Sequence, residues 1–195
     1  MAAATAASPF YRVFTAVALD DKIKARLVEM QQQLRTTKAD VAWVHPENLH
    51  LSMVFLGDMP AHTLETLCRL IRETACGIKP FMMTVDGIGA FGAPHAPRVV
   101  WAGVPVSPAL GLIHHSLSVA FASHGWQIDP CAYRPHITLG RIRSGRERVA
   151  LAGMIETLGA VSMGAMSVAK LTLFRSVLKS DRAYYTALYE APFIA

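Results

Sequence analysis

The sequence predicts an α+β fold with largely antiparallel sheets, and three observations support this prediction. Seven apolar segments have the alternation or continuity of strands, and four amphipathic segments have helical spacing. The two kinds interleave without the Gly-rich phosphate loop of a doubly wound nucleotide fold. The predicted strands are Phe10–Leu19, Leu49–Leu56, Phe81–Ile88, Arg98–Val104, Tyr133–Ile142, Val168–Phe174 and Tyr184–Tyr189.

The helical segments lie between these strands and carry their own start and stop signals. Asp20 or Asp21 can cap the first helix, and the second follows Pro60 and stops near Gly77. The third starts at Ser107, an N-cap residue with a proline directly after it. Apolar residues at helical spacing give the inward faces. These are Ile23, Leu27, Met30 and Leu34, then Leu64, Leu67 and Ile71, then Leu110, Ile113, Leu117 and Phe121, with a fourth helix over Glu147–Leu158.

Composition excludes several classes of protein. Hydrophobic residues make up 52% and charged residues 17% of the 195, which is ample for a buried core. The apolar runs fall far short of the ~18–20 residues that span a bilayer, so we expect a soluble protein with no membrane partner. Residues 1–9 lack the regions of a secretory signal and are predicted to form a flexible tail before a single domain at residues 10–195. Three irregularly spaced cysteines fit neither a zinc site nor a disulfide framework, which indicates the cytoplasm.

The net charge of +5 is unevenly distributed. The first 97 residues contain as many acidic as basic side chains, so the whole excess lies in residues 98–195. Five arginines crowd one short stretch of that half. On charge alone, two interpretations stay open: an anionic ligand, or a solvated loop without a partner. The five are Arg134, Arg141, Arg143, Arg146 and Arg148.

Two short motifs share the order histidine, apolar residue, hydroxyl residue, apolar residue. On a strand, residues i and i+2 face the same side, so His50 stands beside Ser52, and His136 beside Thr138. A third triplet, which begins at His114, falls on a predicted helix where i and i+2 do not face one another, and we assign it to the surface. The buried face of the two strands is predicted to hold Leu49, Leu51, Met53 and Phe55, and Tyr133, Ile137 and Leu139.

This arrangement suits phosphodiester hydrolysis without a metal. Because the pKa of histidine is ~6.5, one ring can be the base while the other is the acid near neutral pH. Ser52 and Thr138 can donate hydrogen bonds to phosphate oxygens, and Arg141 can add charge-assisted bonds. A metal hydrolase is one rival, although the chain has no His-Glu-x-x-His motif. A non-catalytic RNA-binding module that uses the arginine cluster is the other.

The runs 43–58 and 134–141 resemble the paired signatures of the two-histidine (2H) phosphoesterases, and more narrowly those of RNA 2′,3′-cyclic phosphodiesterases of the LigT/ThpR type. The resemblance extends over nearly the whole chain. It implies a bilobal fold in which two mainly antiparallel sheets face a central groove, with helices on the outside and one histidine from each lobe. Two departures are Ser52, where threonine is usual, and Val54, where a basic residue is common.

The same resemblance implies a reaction and residue roles. The family opens 2′,3′-cyclic phosphates at RNA ends to leave 2′-phosphates, and some members join tRNA half-molecules in the reverse, 2′-5′ ligase direction. By resemblance, His50 is the general acid that protonates the departing 3′ oxygen, and His136 is the base that activates water. Ser52, Thr138 and Arg141 would bind the phosphate. We expect a monomer without metal or cofactor, whose partners are RNA or nucleotide 2′,3′-cyclic phosphates, with tRNA fragments as candidates.

Two further expectations concern the surroundings of the motifs. Phe55, Tyr133 and Tyr185 could stack on a base, but aromatic residues on strands are more often part of the core. Because the positive charge lies in the second half of the chain, we expect the lobe with His136 to attract RNA phosphates and a neutral lobe to contribute His50.

Overall fold

The computed structural model describes residues 9–93, 96–180 and 182–194, which form ten strands and four helices. Of the predicted tail at residues 1–9, all but Pro9 lies outside the described residues. Strands β1 to β10 are Phe10–Ala18, Val41–Trp43, His50–Pro60, Phe81–Asp86, Ile88–Ala93, Ala96–Gly103, His136–Ile142, Ser162–Val168, Lys170–Leu178 and Ala183–Pro192. Helices α1 to α4 are Asp21–Arg35, Leu64–Ala75, Pro108–Ser123 and Arg148–Thr157.

The helices begin and end at residues that satisfy their free backbone groups. The Asp20 carboxylate accepts the Ile23 N–H at 2.8 Å, and Ser107 Oγ accepts the Leu110 N–H at 3.2 Å, so both are N-caps. Gly77 follows the end of α2 with a φ of +84°, a left-handed conformation that glycine adopts without strain. The predictions for the first three helices are confirmed, with Asp20 as the cap of α1.

The strands form two four-stranded antiparallel sheets and one ribbon. The first sheet has the order β10-β9-β1-β3, the second has the order β2-β7-β6-β5, and β4 pairs with β8. His50 starts β3 at an edge of the first sheet, and His136 starts β7 inside the second. The prediction of an α+β fold with mainly antiparallel sheets is confirmed.

The helices divide between the two sheets and define two lobes. In the first lobe, α2 packs on β9 and β10 and α3 packs on β3. In the second lobe, α4 packs on β5 and β6, and α1 is tied to β7 because Gln31 Nε2 donates to the carbonyl oxygens of Val44 and Leu139 at 2.8 and 2.9 Å. The buried apolar residues of both lobes form one continuous core.

The two lobes do not coincide with the two halves of the sequence. The first sheet takes β9 and β10 from the end of the chain, and with them Lys170 and Arg175. The expectation that a neutral lobe contributes His50 counted charge by halves of the chain, and the lobes do not follow those halves, so it stays a prediction. Strand order depends on pairing between distant segments, and a count of charge along the chain does not contain that information.

Three strands were not predicted, and two predicted strands cross into a neighbouring element. One is Phe81–Ile88, which runs from β4 across Gly87 to the first residue of β5. The strand β2 has only three residues, too few to show alternation, and β5 and β8 lack a clear apolar period. The predicted strand Val168–Phe174 crosses from β8 into β9 at Ala169. Neither Gly nor Pro marks that boundary, so the sequence carries no turn signal there.

Candidate active site

Strand β3 contains a β-bulge just after its hydroxyl residue. Its register against β1 shifts between Ser52 and Val54, with Met53 as the extra residue. A bulge reverses the inside-outside alternation of the residues that follow it. Met53 and Val54 are therefore both buried, while Phe55 is 49% exposed. The prediction that Phe55 lies on the buried face is wrong, because a strict period of two does not anticipate a bulge.

Strand β7 has the same irregularity at the equivalent place. Its register against β6 shifts between Thr138 and Gly140, with Leu139 as the extra residue. Leu139 and Gly140 are both buried, and Arg141 is exposed. A Cβ on Gly140 would lie 2.6 Å from Val41 Cγ1 on β2, so a side chain at this position would have to displace Val41. Without the extra residue, Arg141 would face the core.

A groove of about 170 Å³ lies where these two strands meet. Because of the two bulges, the residue five positions after each histidine borders the groove together with the hydroxyl residue. Four of the five predicted site residues line it, and His136, the fifth, starts β7 two residues before Thr138. The lining residues are Phe14, Val44, Asn48, His50, Ser52, Phe55, Thr138, Arg141 and Tyr185.

The imidazole of His50 has a partner at each nitrogen. Nδ1 lies 2.7 Å from the Asn48 carbonyl oxygen, which can only accept, so Nδ1 carries a proton. Nε2 lies 2.9 Å from Ser52 Oγ. The ring is packed against Phe14, with centroids 4.8 Å apart, and meets Tyr185 edge-on at 5.4 Å. Two hydrogen bonds and two aromatic contacts therefore fix the orientation of this ring.

Burial lowers the pKa of His50 below its ordinary value of 6.5. The hydrogen bond to the Asn48 carbonyl oxygen opposes this effect on the pKa, and the positive charge of His136 lowers the pKa further. The two rings therefore interact electrostatically across the groove. In the free protein His50 is mainly neutral at pH 7, with its lone pair on Nε2.

His136 repeats the arrangement at Nδ1. This nitrogen lies 2.7 Å from the carbonyl oxygen of Arg134, two residues earlier, as Asn48 stands two residues before His50. Nδ1 is thus the protonated nitrogen in both rings, and Nε2 is the nitrogen that can exchange a proton. Phe91 meets the His136 ring edge-on, with centroids 4.8 Å apart.

Sequence reasoning missed part of the groove. Asn48 orients His50 through its carbonyl group, and its Nδ2 donates to the Ala183 carbonyl oxygen at 2.7 Å, which joins the turn before β3 to β10. Tyr185 lines the groove, although a core position was favoured. Burial raises the pKa of Tyr185, and the charges of Arg141 and Arg12 partly offset that rise. The sequence signal for this role of Asn48 was its position two residues before the histidine, which is where the orienting carbonyl group lies in both motifs.

Tyr133 lies before β7 rather than in it, contrary to the prediction. Its ring stacks on His114 with centroids 4.1 Å apart and planes 10° apart, and its hydroxyl donates to Met53 Sδ at 3.1 Å. His114, predicted to be a surface residue, is half-buried in this stack. Since His114 lies on α3 and Met53 on β3, Tyr133 joins the segment before His136 to the first lobe.

In residues 9–93, 96–180 and 182–194, no three His, Cys, Asp or Glu side chains cluster as metal ligands. None of the helices described in the structure has the length and apolarity needed to cross a membrane. Cys68, Cys76 and Cys131 are free thiols.

Two sheets that meet at a groove, each with a histidine and a hydroxyl residue on one face, define the class of two-histidine phosphoesterases. Within that class, the chain belongs to the LigT-like phosphoesterase family, whose model matches residues 17–101 and 104–185. The prediction of the family is confirmed.

Relatives and solved structures agree with this assignment. The chain is 35% identical over 175 residues to a Methanothermobacter thermautotrophicus protein named RNA 2′,3′-cyclic phosphodiesterase, with 90% of this chain and 95% of that protein covered. An Archaeoglobus fulgidus protein of the same name is 30% identical over 177 residues, with 91% and 97% covered.

Among solved structures, that of Escherichia coli LigT complexed with 3′-AMP matches with a TM-score of 0.76 at 26% identity and covers 95% of this chain and 99% of its own. A Thermus thermophilus protein matches with a TM-score of 0.77 at 28% identity, covering 93% and 97%. These matches extend over both lobes, so the similarity concerns the whole fold and not one motif.

Proposed function

We propose that this protein hydrolyses 2′,3′-cyclic phosphates at RNA ends and leaves 2′-phosphates. One observation carries the proposal: His50 and His136 both hold a proton on Nδ1 through a backbone carbonyl group, and they interact across a groove that also contains two hydroxyl groups and an arginine. The names of the relatives, RNA 2′,3′-cyclic phosphodiesterase, support the choice of substrate.

In the forward reaction, Nε2 of His136 removes a proton from water, and the water oxygen forms a new bond to phosphorus. The bond between phosphorus and the 3′ oxygen breaks, and His50 gives its Nε2 proton to that oxygen. The product has a 2′-phosphate and a 3′-hydroxyl group. The two histidines finish with exchanged protonation states, so each turnover ends with proton exchange with solvent. If the protein joins RNA ends in the reverse reaction, His50 would act as the base and His136 as the acid.

Substrate binding prepares His50 for its role as the acid. In the free protein burial lowers the pKa of His50, so the ring is neutral and its Nε2 accepts a hydrogen bond from the Ser52 hydroxyl. The negative charge of a bound phosphate raises that pKa again and favours proton uptake. Protonated Nε2 no longer accepts from Ser52, so its N–H can donate to the departing 3′ oxygen and the serine hydroxyl can turn its hydrogen to the phosphate. Proton uptake and phosphate binding are thereby coupled.

Thr138 and Arg141 complete the phosphate site from the second lobe. The Thr138 hydroxyl can donate to one nonbridging oxygen, and the Arg141 guanidinium supplies charge-assisted bonds as negative charge builds on phosphorus. Both residues line the groove opposite Ser52. The phosphate would thus be held between the lobes, with one histidine on either side.

The reaction is tested by incubating the protein with adenosine 2′,3′-cyclic phosphate and excess EDTA and identifying the product by ³¹P NMR. We expect adenosine 2′-phosphate. Formation of the 3′-phosphate, or no product, contradicts the proposal, and loss of activity with EDTA alone favours the metal-hydrolase alternative. The RNA-binding alternative predicts that the protein binds RNA without turnover.

The cellular setting belongs to the same proposal. We propose that the protein acts as a monomer in the cytoplasm, with tRNA fragments among its substrates. Three free thiols suit a reducing compartment. Light scattering after gel filtration tests the oligomeric state, and a mass of two chains would contradict it.

A further inference from the structure

Arg12 extends the groove beyond the residues assigned to the reaction. It lies two residues before Phe14 on β1, on the same face of the sheet, and Phe14 lines the groove. The guanidinium carbon of Arg12 lies over the Phe55 ring, 5.1 Å from its centroid. Phe55 also lines the groove, so the Arg12 charge stands at its end in the first lobe.

Arg12 and Arg141 bring two positive charges to one groove, one from each lobe. Both charges act on Tyr185 and lower the pKa of its hydroxyl, against the effect of burial. In the described ranges, no carboxylate forms an ion pair with either arginine, although Asp58 is the cross-strand neighbour of Arg12. A cyclic phosphate is a monoanion, so it can neutralise the charge of only one of the two arginines.

The spacing along β1 separates Arg12 from the reacting phosphate. The β1 residue opposite Ser52 is Ala16, four residues from Arg12, which corresponds to about 13 Å along the strand. Phe55 pairs with Phe14, between these two positions. The Arg12 charge, which lies over Phe55, is therefore one row of side chains away from Ser52. A second phosphate of the same nucleotide would lie at about this distance from the reacting phosphate.

We propose that Arg12 binds the phosphate on the 5′ oxygen of the nucleotide whose 2′,3′-cyclic phosphate lies between the two histidines. This inference rests on the proposed function and adds a specificity-determining residue to it. The planar guanidinium can bind phosphate through two parallel hydrogen bonds. Phe55 holds that plane by a cation–π contact, which reduces the side-chain freedom lost on binding. Arg12 thereby favours RNA ends over nucleosides that lack a 5′ phosphate.

The experiment compares kcat/KM for three substrates: adenosine 2′,3′-cyclic phosphate, its 5′-phosphorylated form, and the dinucleotide ApA with a 2′,3′-cyclic end. For each 5′-phosphorylated substrate, kcat/KM is divided by the kcat/KM of adenosine 2′,3′-cyclic phosphate. We expect Arg12→Gln to lower this ratio about tenfold or more, as for a lost charge-assisted hydrogen bond. Arg175→Gln is the matched control, because Arg175 pairs with Val13, on the opposite face of the sheet, and lies over Tyr11.

The three substrates show which kind of 5′ phosphate Arg12 binds, and they also show whether the inference fails. A lower ratio for both 5′-phosphorylated substrates assigns the contact to any 5′ phosphate, and a lower ratio for the dinucleotide alone assigns it to the diester of an RNA chain. An unchanged ratio, or an equal loss on all three substrates, overturns the inference. Wild-type protein that opens none of the three would instead refute the proposed function. If Arg12→Gln does not fold, Arg12→Lys is expected to give an intermediate ratio.

Discussion

Strands β3 and β7 share one order of residues and differ in the side chain at the last position of that order. Each begins with a histidine, has a hydroxyl residue two positions later, then a bulge, and then a residue that the bulge places in the groove. That last residue is Phe55 in β3 and Arg141 in β7. The shared positions are those proposed to transfer protons and to bind phosphate. The position after the bulge is aromatic in β3 and cationic in β7.

The two histidines also differ in their surroundings. His50 is enclosed by aromatic rings and has a lowered pKa, whereas His136 meets one ring edge-on. An enclosed imidazole depends on the substrate charge to become an acid. The contrast indicates that the two strands share one arrangement of residues, while the packing around each histidine differs between the lobes.

Removal of either histidine is expected to have the largest effect. His50→Ala and His136→Ala should each lower kcat by about 10²–10⁴-fold, because each removes one proton transfer. Binding of a 2′-phosphate product, followed by calorimetry, should largely persist in His136→Ala, whereas His50→Ala should bind it more weakly and without proton uptake. His124→Ala is the control, since this exposed residue at the end of α3 lies outside the groove lining. A large loss for one strand and none for the other would break the equivalence of β3 and β7.

Substitution of the residue after each bulge should give the next largest effect and should differ between strands. Arg141→Gln should lower kcat about 10–100-fold, since a charged hydrogen bond contributes roughly 1.5–3 kcal/mol. Phe55→Leu should change KM more than kcat, because it removes an aromatic surface and no charge. Steady-state kinetics with adenosine 2′,3′-cyclic phosphate separates the two. Equal effects on kcat would show that both positions serve the reacting phosphate.

The lowered pKa of His50 predicts the pH dependence of kcat/KM. This quantity reports the free protein, in which the acid must be protonated, so activity should fall as pH rises through a pKa below 6.5. The decline should approach about tenfold per pH unit above that pKa. Inorganic phosphate should bind with proton uptake, which calorimetry in buffers of different ionisation enthalpy measures. An upper limb well above pH 6.5 would contradict the assignment of His50 as the acid.

The bulge in β7 should depend on Gly140. Gly140→Ala places a Cβ against Val41 and should lower the free energy of unfolding by about 1–3 kcal/mol through overpacking. Gly153→Ala is the control, because nothing lies within 4 Å of a Cβ at that position of α4. Denaturant unfolding measures both variants. A neutral Gly140→Ala would mean that the strand can slide to make room, so that the bulge does not fix Arg141.

Replacement of Ser52 by threonine, the other hydroxyl residue, should have the smallest effect. Ser52→Thr keeps the hydroxyl that meets His50 and adds a methyl group that restricts the rotamer. Because Ser52 is exposed, we expect stability to change by no more than about 0.5 kcal/mol and kcat by about twofold. Ser52→Ala should cost clearly more. Equal losses for both variants would mean that the hydroxyl is not used.

The part of the site that sequence reasoning could predict is local. A period of two places His50 with Ser52 and His136 with Thr138 on one face of a strand, and the structure has these pairs on strands that meet at the groove. Their catalytic roles stay predictions. Phe55 was misplaced because a bulge depends on the partner strand, and β1 is distant in sequence.

The same reason limited the prediction of the fold. Helix caps such as Asp20 and Ser107 act within one turn and were predicted, since their signal is local. The distribution of elements between the lobes was not, because α3 packs on β3 and β9 pairs with β1 through contacts between distant segments. The contact of Tyr133 with His114 and Met53 belongs to this second kind.

The strand order of the first sheet has a consequence for synthesis of the protein on the ribosome. A nascent chain that has emerged through β7 already contains both histidines, yet β1 still has an open edge where β9 will pair. Tyr185, which contacts the ring of His50, is made later still. The groove can therefore be complete only after β10 has left the exit tunnel, so both histidines are synthesised well before the site that holds them can form.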